Sequence, residues 1–239
     1  MEPGEAMGDG EDRRDLLRRL KESATTTSLT LMSIVQGVAL ADLAGVVASG
    51  YTHFSATQWL LVFPTFLLLI AAWNQVTMDT LAWVQVPDMF YAIIPFIVGA
   101  FELFINHAIQ RNEQAWLIGV AIMVTLSTLA IGLTNRSAAF HAENTSLFAY
   151  LAPLRKSGKR YNLVGTVVLL LLALMSALGG FAEVDRRITM PGAANFVSGV
   201  VVALFLLEFI RRHLLYWHVV VAYAEAKPSF LAKARKHHL

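Results

Sequence analysis

The sequence predicts an all-α, polytopic membrane protein with six transmembrane helices and both termini in the cytoplasm. Three observations predict it. First, 56% of the 239 residues are hydrophobic and only 15% are charged, with mean hydropathy +0.55. Soluble domains carry about 25% charged residues. Second, six apolar runs recur, at Ser28–Gly50, Thr57–Met78, Met89–Ile109, Ala115–Asn135, Tyr161–Phe181 and Ala194–His213. Each is close to the ~20 residues that cross a bilayer as a helix. They are continuous rather than alternating, which excludes a closed β-barrel. Third, the basic residues fall on one side. The N-terminal segment, the connection between spans four and five, and the segment after span six carry five, five and six Lys or Arg. The opposite side has only Arg111, Arg186 and Arg187. The positive-inside rule then puts both ends in the cytoplasm.

Residues 1–27 form a cytoplasmic segment in this reading. Met1 to Gly10 is polar and glycine-bearing, and is expected to be disordered. EDRRDLLRRLKE, Glu11 to Glu22, places Leu16, Leu17 and Leu20 at helical spacing and predicts a short amphipathic helix. The first apolar run is too long for a signal-peptide core and is read as a retained span. Residues 28–223 are the six-helix domain. Trp59 and Trp116 fall at the outer ends of spans two and four, and Trp83 and Trp217 just past inner ends, as an aromatic belt would place them. Arg136 to Arg160 is the longest connection, with SLFAYLAPL apolar enough to lie on the membrane and RKSGKR as a basic anchor. Arg186, Arg187 and Pro191 mark a tight outer turn. The last helix continues through LLYWHVVVAYA, and residues 224–239 form a basic cytoplasmic tail.

Several classes of function are excluded. With no cysteine, disulfides, iron–sulfur clusters and thiolate metal sites are impossible. The basic balance, pI near 9.0, lies beside membrane segments and reads as an orientation signal rather than a nucleic-acid surface. No GxSxG, HExxH or Walker pattern is present, so no catalytic residue, cofactor or metal site is predicted. The histidines give no pair at one depth for a haem.

Two patterns in the spans carry information. In span one, Ser33, Gly37, Ala41, Gly45 and Ser49 recur every fourth residue, a small-residue seam that lets helix backbones approach closely. The tight contact lies within the bundle or in a homo-oligomer. Asp42 borders that seam. A charge at mid-membrane costs at least ~2.5–3.5 kcal/mol on insertion scales and marks a functional site by default. Asp42 lies fourteen residues into span one, ~21 Å along the axis, and Glu102 thirteen into span three, ~20 Å. Asn106 and His107 follow one turn further out. Gln36, Asp42, Glu102, Asn106 and His107 are therefore the candidate ion-binding or pore-lining residues. The plainer alternative is that each carboxyl is capped separately by Gln36, Asn106 or a backbone carbonyl. Glu208, with Arg211 and Arg212 three and four residues on, reads as a local salt bridge.

FLLLIAAWN, Phe66 to Asn74, and DMFYAIIPF, Asp88 to Phe96, resemble the second and third helices of the lysosomal potassium channel family with bacterial homologues, which has six helices per repeat and no TVGYG filter. The resemblance covers about a third of the chain. It implies an oligomeric pore lined by the first helix. The family's Phe-Ser-Asp motif is replaced here by Ile34, Val35 and Gln36 before Gly37. The histidine usual after its Trp-Asn is Gln75. Its hydrophobic constriction would fall near Ala41 and Asp42, which cannot form the same apolar gate.

The expectation is an oligomeric, cation-conducting, channel-like protein of the cell (plasma or inner) membrane, with the first helix lining the path. The partners are lipid, further copies of the chain, and a monovalent cation or proton. The alternatives are a proton-coupled secondary transporter using Asp42 and Glu102, or a scaffold or accessory subunit that transports nothing.

Overall fold

The computed structural model describes residues 5–83, 89–139, 144–188 and 193–225. The chain is all-helical there, with seven helices in order: α1 (Glu5–Gly50), α2 (Ala56–Ala82), α3 (Met89–Arg111), α4 (Glu113–Ala139), α5 (Thr145–Ala177), α6 (Gly180–Ile188) and α7 (Ala193–Ala224). All but α6 are long and apolar enough to cross a membrane, so the chain is a multi-pass integral membrane protein. α1 and α3 run parallel, since Gln36, Ala39 and Val46 meet Glu102, Asn106 and Gln110 in the same order. α2 packs against α1, α3 and α7, and α4 against α3 and α5.

Local chemistry sets several helix ends. Ser55 begins α2 with a reciprocal cap: its hydroxyl accepts from Gln58 N–H at 3.2 Å, and the Gln58 side chain accepts from Ser55 N–H at 2.9 Å. Gln58 also donates to Ile109 O of α3 at 3.1 Å, so the cap ties two helices together. A single residue, Asn112, separates α3 from α4. Its Oδ1 accepts from Gln114 and Ala115 N–H at 2.9 and 3.2 Å. Gly179, at φ 74°, turns the chain from α5 into α6, in a backbone region that costs other residues strain.

Three expectations about boundaries change. The amphipathic segment before span one is not separate, because α1 is one helix from Glu5 to Gly50. The connection before span five is largely helical: α5 starts at Thr145, and SLFAYLAPL and RKSGKR form its first half. Leu147 and Leu151 are buried with Trp83, Val219 and Ala222 in a second, smaller core, so this segment packs on protein. Arg186 and Arg187 lie on α6, where both pair with Glu183 at 2.5 and 2.8 Å, rather than in a turn. Pro191, Asp88, the terminal histidines and residues 226–239 of the basic tail lie outside the described residues.

The bundle's outside is apolar. Leu163, Val164, Val167, Leu171, Leu174 and Leu178 of the α5 region are all exposed, as a lipid-facing stripe should be. Trp116 departs from the belt expectation. It is buried, and its Nε1–H donates to Thr65 Oγ1 at 2.8 Å. The indole bonds to α2 instead of reaching the membrane surface.

Candidate functional site

Glu102, Asn106 and Gln110 lie four residues apart and so form one polar stripe along α3. The stripe faces α1. At the first level Gln36 Nε2–H₂ donates to both oxygens of Glu102, at 2.7 and 2.9 Å, and both residues are buried. One turn on, Asn106 Nδ2–H₂ donates to Ala39 O at 2.9 Å and to Asp42 Oδ2 at 3.0 Å. His107 Nε2 lies 3.2 Å from Asp42 Oδ1. A further turn on, Gln110 Nε2–H₂ donates to Val46 O and Ser49 Oγ, both at 2.8 Å. The result is a polar ladder on the parallel α1–α3 seam.

All five candidate residues of the transport reading meet on this seam. The two carboxyls occupy successive levels, and each has its own amide partner. That arrangement matches the plainer alternative in its hydrogen bonds. Burial separates the two levels. Glu102 is 0% exposed. The Asp42 side chain retains 23% of its surface and faces His107, whose side chain retains 53%.

The ladder is also unbalanced. Gln36 Oε1 and Asn106 Oδ1 are buried and have no donor among the described residues. Each such orphan costs about 1–3 kcal/mol. With two carboxyl groups beside them, the first two levels present a surplus of oxygen acceptors. No Lys or Arg lies on either helix between Gln36 and Gln110.

The small residues of α1 point elsewhere. Ser33, Gly37, Ala41, Gly45 and Ser49 are all exposed. A Cβ built on Gly37 or Gly45 meets no atom within 4 Å. Of the two places the seam was expected to serve, the bundle interior is therefore ruled out for Gly37 and Gly45. The close approach of α1 to α3 comes instead from Gly99, where a Cβ would stand 2.4 Å from Val35 Cγ1. α5 approaches α7 at Gly165, where a Cβ would stand 1.8 Å from Phe205 Cε2.

Gln110 is the seam residue that the sequence reading missed, and Gln58, which ties α2 to α3, was missed with it. The signal for Gln110 was its spacing of four and eight from Asn106 and Glu102. The reading also left His213 without a role. Gln75 Nε2–H₂ donates to Asp79 Oδ2 at 2.5 Å, and Gln75 Oε1 meets His213 Nε2 of α7. Glu208 accepts from Arg211 and Arg212 Nε–H at 2.6 and 2.8 Å.

Against family models, characterised proteins and solved structures, the chain finds no match. The seam's own chemistry is what remains to argue from.

Proposed function

We propose that this membrane protein moves a monovalent cation along α1, as an oligomer assembled on the exposed small face of that helix. One observation carries the reading: the buried, unbalanced seam. Two carboxyl groups and two donorless amide oxygens stand on consecutive turns with no resident positive side chain. Oxygen ligands of this kind suit hard cations. In the bilayer such groups are expensive and mark ion or proton paths. Asp42, half-buried and facing the exposed His107, is the entry group. Glu102, one level deeper, is the inner one. Potassium is the first ion to test, in keeping with the resemblance of Phe66–Asn74 and Asp88–Phe96 to a potassium channel family.

A second reading rests on Glu102 alone. A carboxyl shut off from water and held by a single glutamine suits a proton carrier better than a continuous pore. It makes the protein a proton-coupled transporter.

Reconstituted vesicles separate the two. A potassium gradient should drive a dye-detected membrane potential that falls at least about tenfold in rate in Asp42→Asn. That loss corresponds to about 1.4 kcal/mol in the barrier. Potential-independent acidification of the vesicle lumen, lost in Glu102→Gln, supports the proton reading instead. If the wild-type protein yields neither signal, the transport proposal is abandoned and the ladder is a static device that fastens α1 to α3.

A further inference from the structure

One sizeable cavity lies away from the seam. It lies between α2, α4, α5 and α7, towards the C-terminal end of α7, with a volume of about 640 Å³. That is within the range of small-molecule sites. Five basic residues line it: Arg155, Lys156, Lys159, Arg211 and Arg212. Two carboxylates offset them. Asp79 lines the same cavity and interacts with the charge of Arg155, and Glu208 takes Arg211 and Arg212. Three positive charges remain in surplus. Neither Lys156 nor Lys159 has an acidic partner among the described residues.

The walls are ordered as a receptor's would be. The Arg155 guanidinium lies 3.7 Å above the Phe148 ring and 5.7 Å from that of Trp83, and its Nε–H has no acceptor. Arg212 is held over Tyr161 at 4.6 Å and donates to Ser157 Oγ at 2.8 Å. This end of the seven-helix bundle is therefore short of acceptors, where the α1–α3 seam is short of donors.

The cavity is also amphipathic. A narrow cleft lined by Leu68, Ala71, Val124, Leu206 and Phe209 meets it at Gln75, Thr128, Ile131 and Asn162. Gly132, another lining residue, is exposed beside the exposed Leu129 and Leu133 of α4. The cavity thus borders the surface that faces lipid.

We propose that this cavity binds a phosphate group, and that its source is the headgroup of an anionic phospholipid in the adjacent leaflet. Basic pockets between transmembrane helices take such headgroups. The phosphate meets Lys156, Lys159 and Arg155, and the acyl chains leave past Gly132 along the apolar face of α4.

The test uses the full chain, purified and delipidated in detergent. Native mass spectrometry measures binding of phosphatidylglycerol and phosphatidylcholine, and thermal unfolding is followed with either lipid or with inorganic phosphate. Phosphatidylglycerol should bind preferentially and raise the unfolding temperature. Its affinity should fall about thirty-fold in K156Q/K159Q, about fivefold for each lysine near the surface. R186Q/R187Q, with the same charge loss at the other end, should bind as the wild type does. Both lysines are exposed, so the lipid-free variant should unfold at the wild-type temperature, which shows that it folds. Stabilisation by inorganic phosphate equal to that by phosphatidylglycerol keeps the site but makes its ligand a soluble phosphate compound. Equal binding of both lipids, or undiminished phosphatidylglycerol binding in K156Q/K159Q, overturns the proposal.

Discussion

Glu102 depends on one partner, and that makes its removal informative. Gln36 supplies both hydrogen bonds to the carboxyl, at 2.7 and 2.9 Å, and Glu102 has no exposed surface through which water can replace them. Consider Gln36→Met, which keeps length and flexibility while deleting the amide. A buried hydrogen bond contributes about 0.5–1.5 kcal/mol, or about 1.5–3 kcal/mol where one group is charged, and a buried acceptor left without its donor costs about 1–3 kcal/mol. Interhelical bonds inside membranes are weaker, averaging about 0.6 kcal/mol, because the unfolded reference also finds partners. The structure places this pair nearer the upper figures, since the group left behind is a carboxyl at full burial. A loss of about 3 kcal/mol is expected. Glu102→Met should cost less, because the glutamine left behind is a neutral amide. Gln36→Met with Glu102→Met should recover most of the loss, since two matched apolar side chains leave nothing unpaired. The assay is reversible unfolding in mixed micelles with increasing SDS, read by tryptophan fluorescence, across wild type, both single variants and the double variant. The coupling energy should be about 2 kcal/mol and favourable. Additive losses, or a Gln36→Met variant as stable as wild type, would refute the reasoning, because the pair would then not be the buried, mutually dependent unit described here.

Three further predictions concern glycines, two at close approaches and one at an open face. Gly99→Ala forces a methyl group against Val35 Cγ1 at 2.4 Å, and the β-branched valine has little freedom to yield. It should cost about 1–3 kcal/mol of protomer stability. Gly37 is exposed and its Cβ position is open, so Gly37→Leu should leave the monomer's unfolding unchanged while shifting the proposed oligomer toward monomer in analytical ultracentrifugation. Gly165→Ala should destabilise by about 1–3 kcal/mol, because Phe205 is fixed by stacking on Tyr161 at 5.0 Å. Phe205→Leu should relieve part of that loss in the same unfolding assay.

Hydropathy made the spans legible because lipid imposes a one-dimensional rule: some twenty apolar residues, whatever they pack against. The same rule hid the ends of α5. Thr145 to Arg160 is too polar to score as a span. Yet Leu147 and Leu151 find Trp83 and Val219 to cover them, so the helix forms on protein rather than lipid. Trp116 failed as a belt residue for a related reason. Its position along the chain was right for the interface, but Thr65 on α2 offers its N–H a partner inside the bundle. The seam was half legible. Period four put Glu102, Asn106 and Gln110 on one face, and hydropathy marked Asp42 and Gln36 as costly. Which carboxyl takes which amide could not be read from depth alone: residue counts put Asp42 and Glu102 at similar heights, but in the structure Glu102 is level with Gln36 and Asp42 lies one turn on, level with Asn106. That register depends on how α1 sits against α3, where Gly99 leaves room for Val35, a residue more than sixty positions away in the chain. The small-residue stripe illustrates the same gap from the other side. Spacing shows that a face of α1 can accept a close neighbour, but only the packed bundle shows that α3 is not that neighbour at Gly37 and Gly45. A small-residue face left open by its own protomer is what supports the proposed oligomer, and under that proposal a shared path would run beside Asp42 rather than through the middle of one bundle.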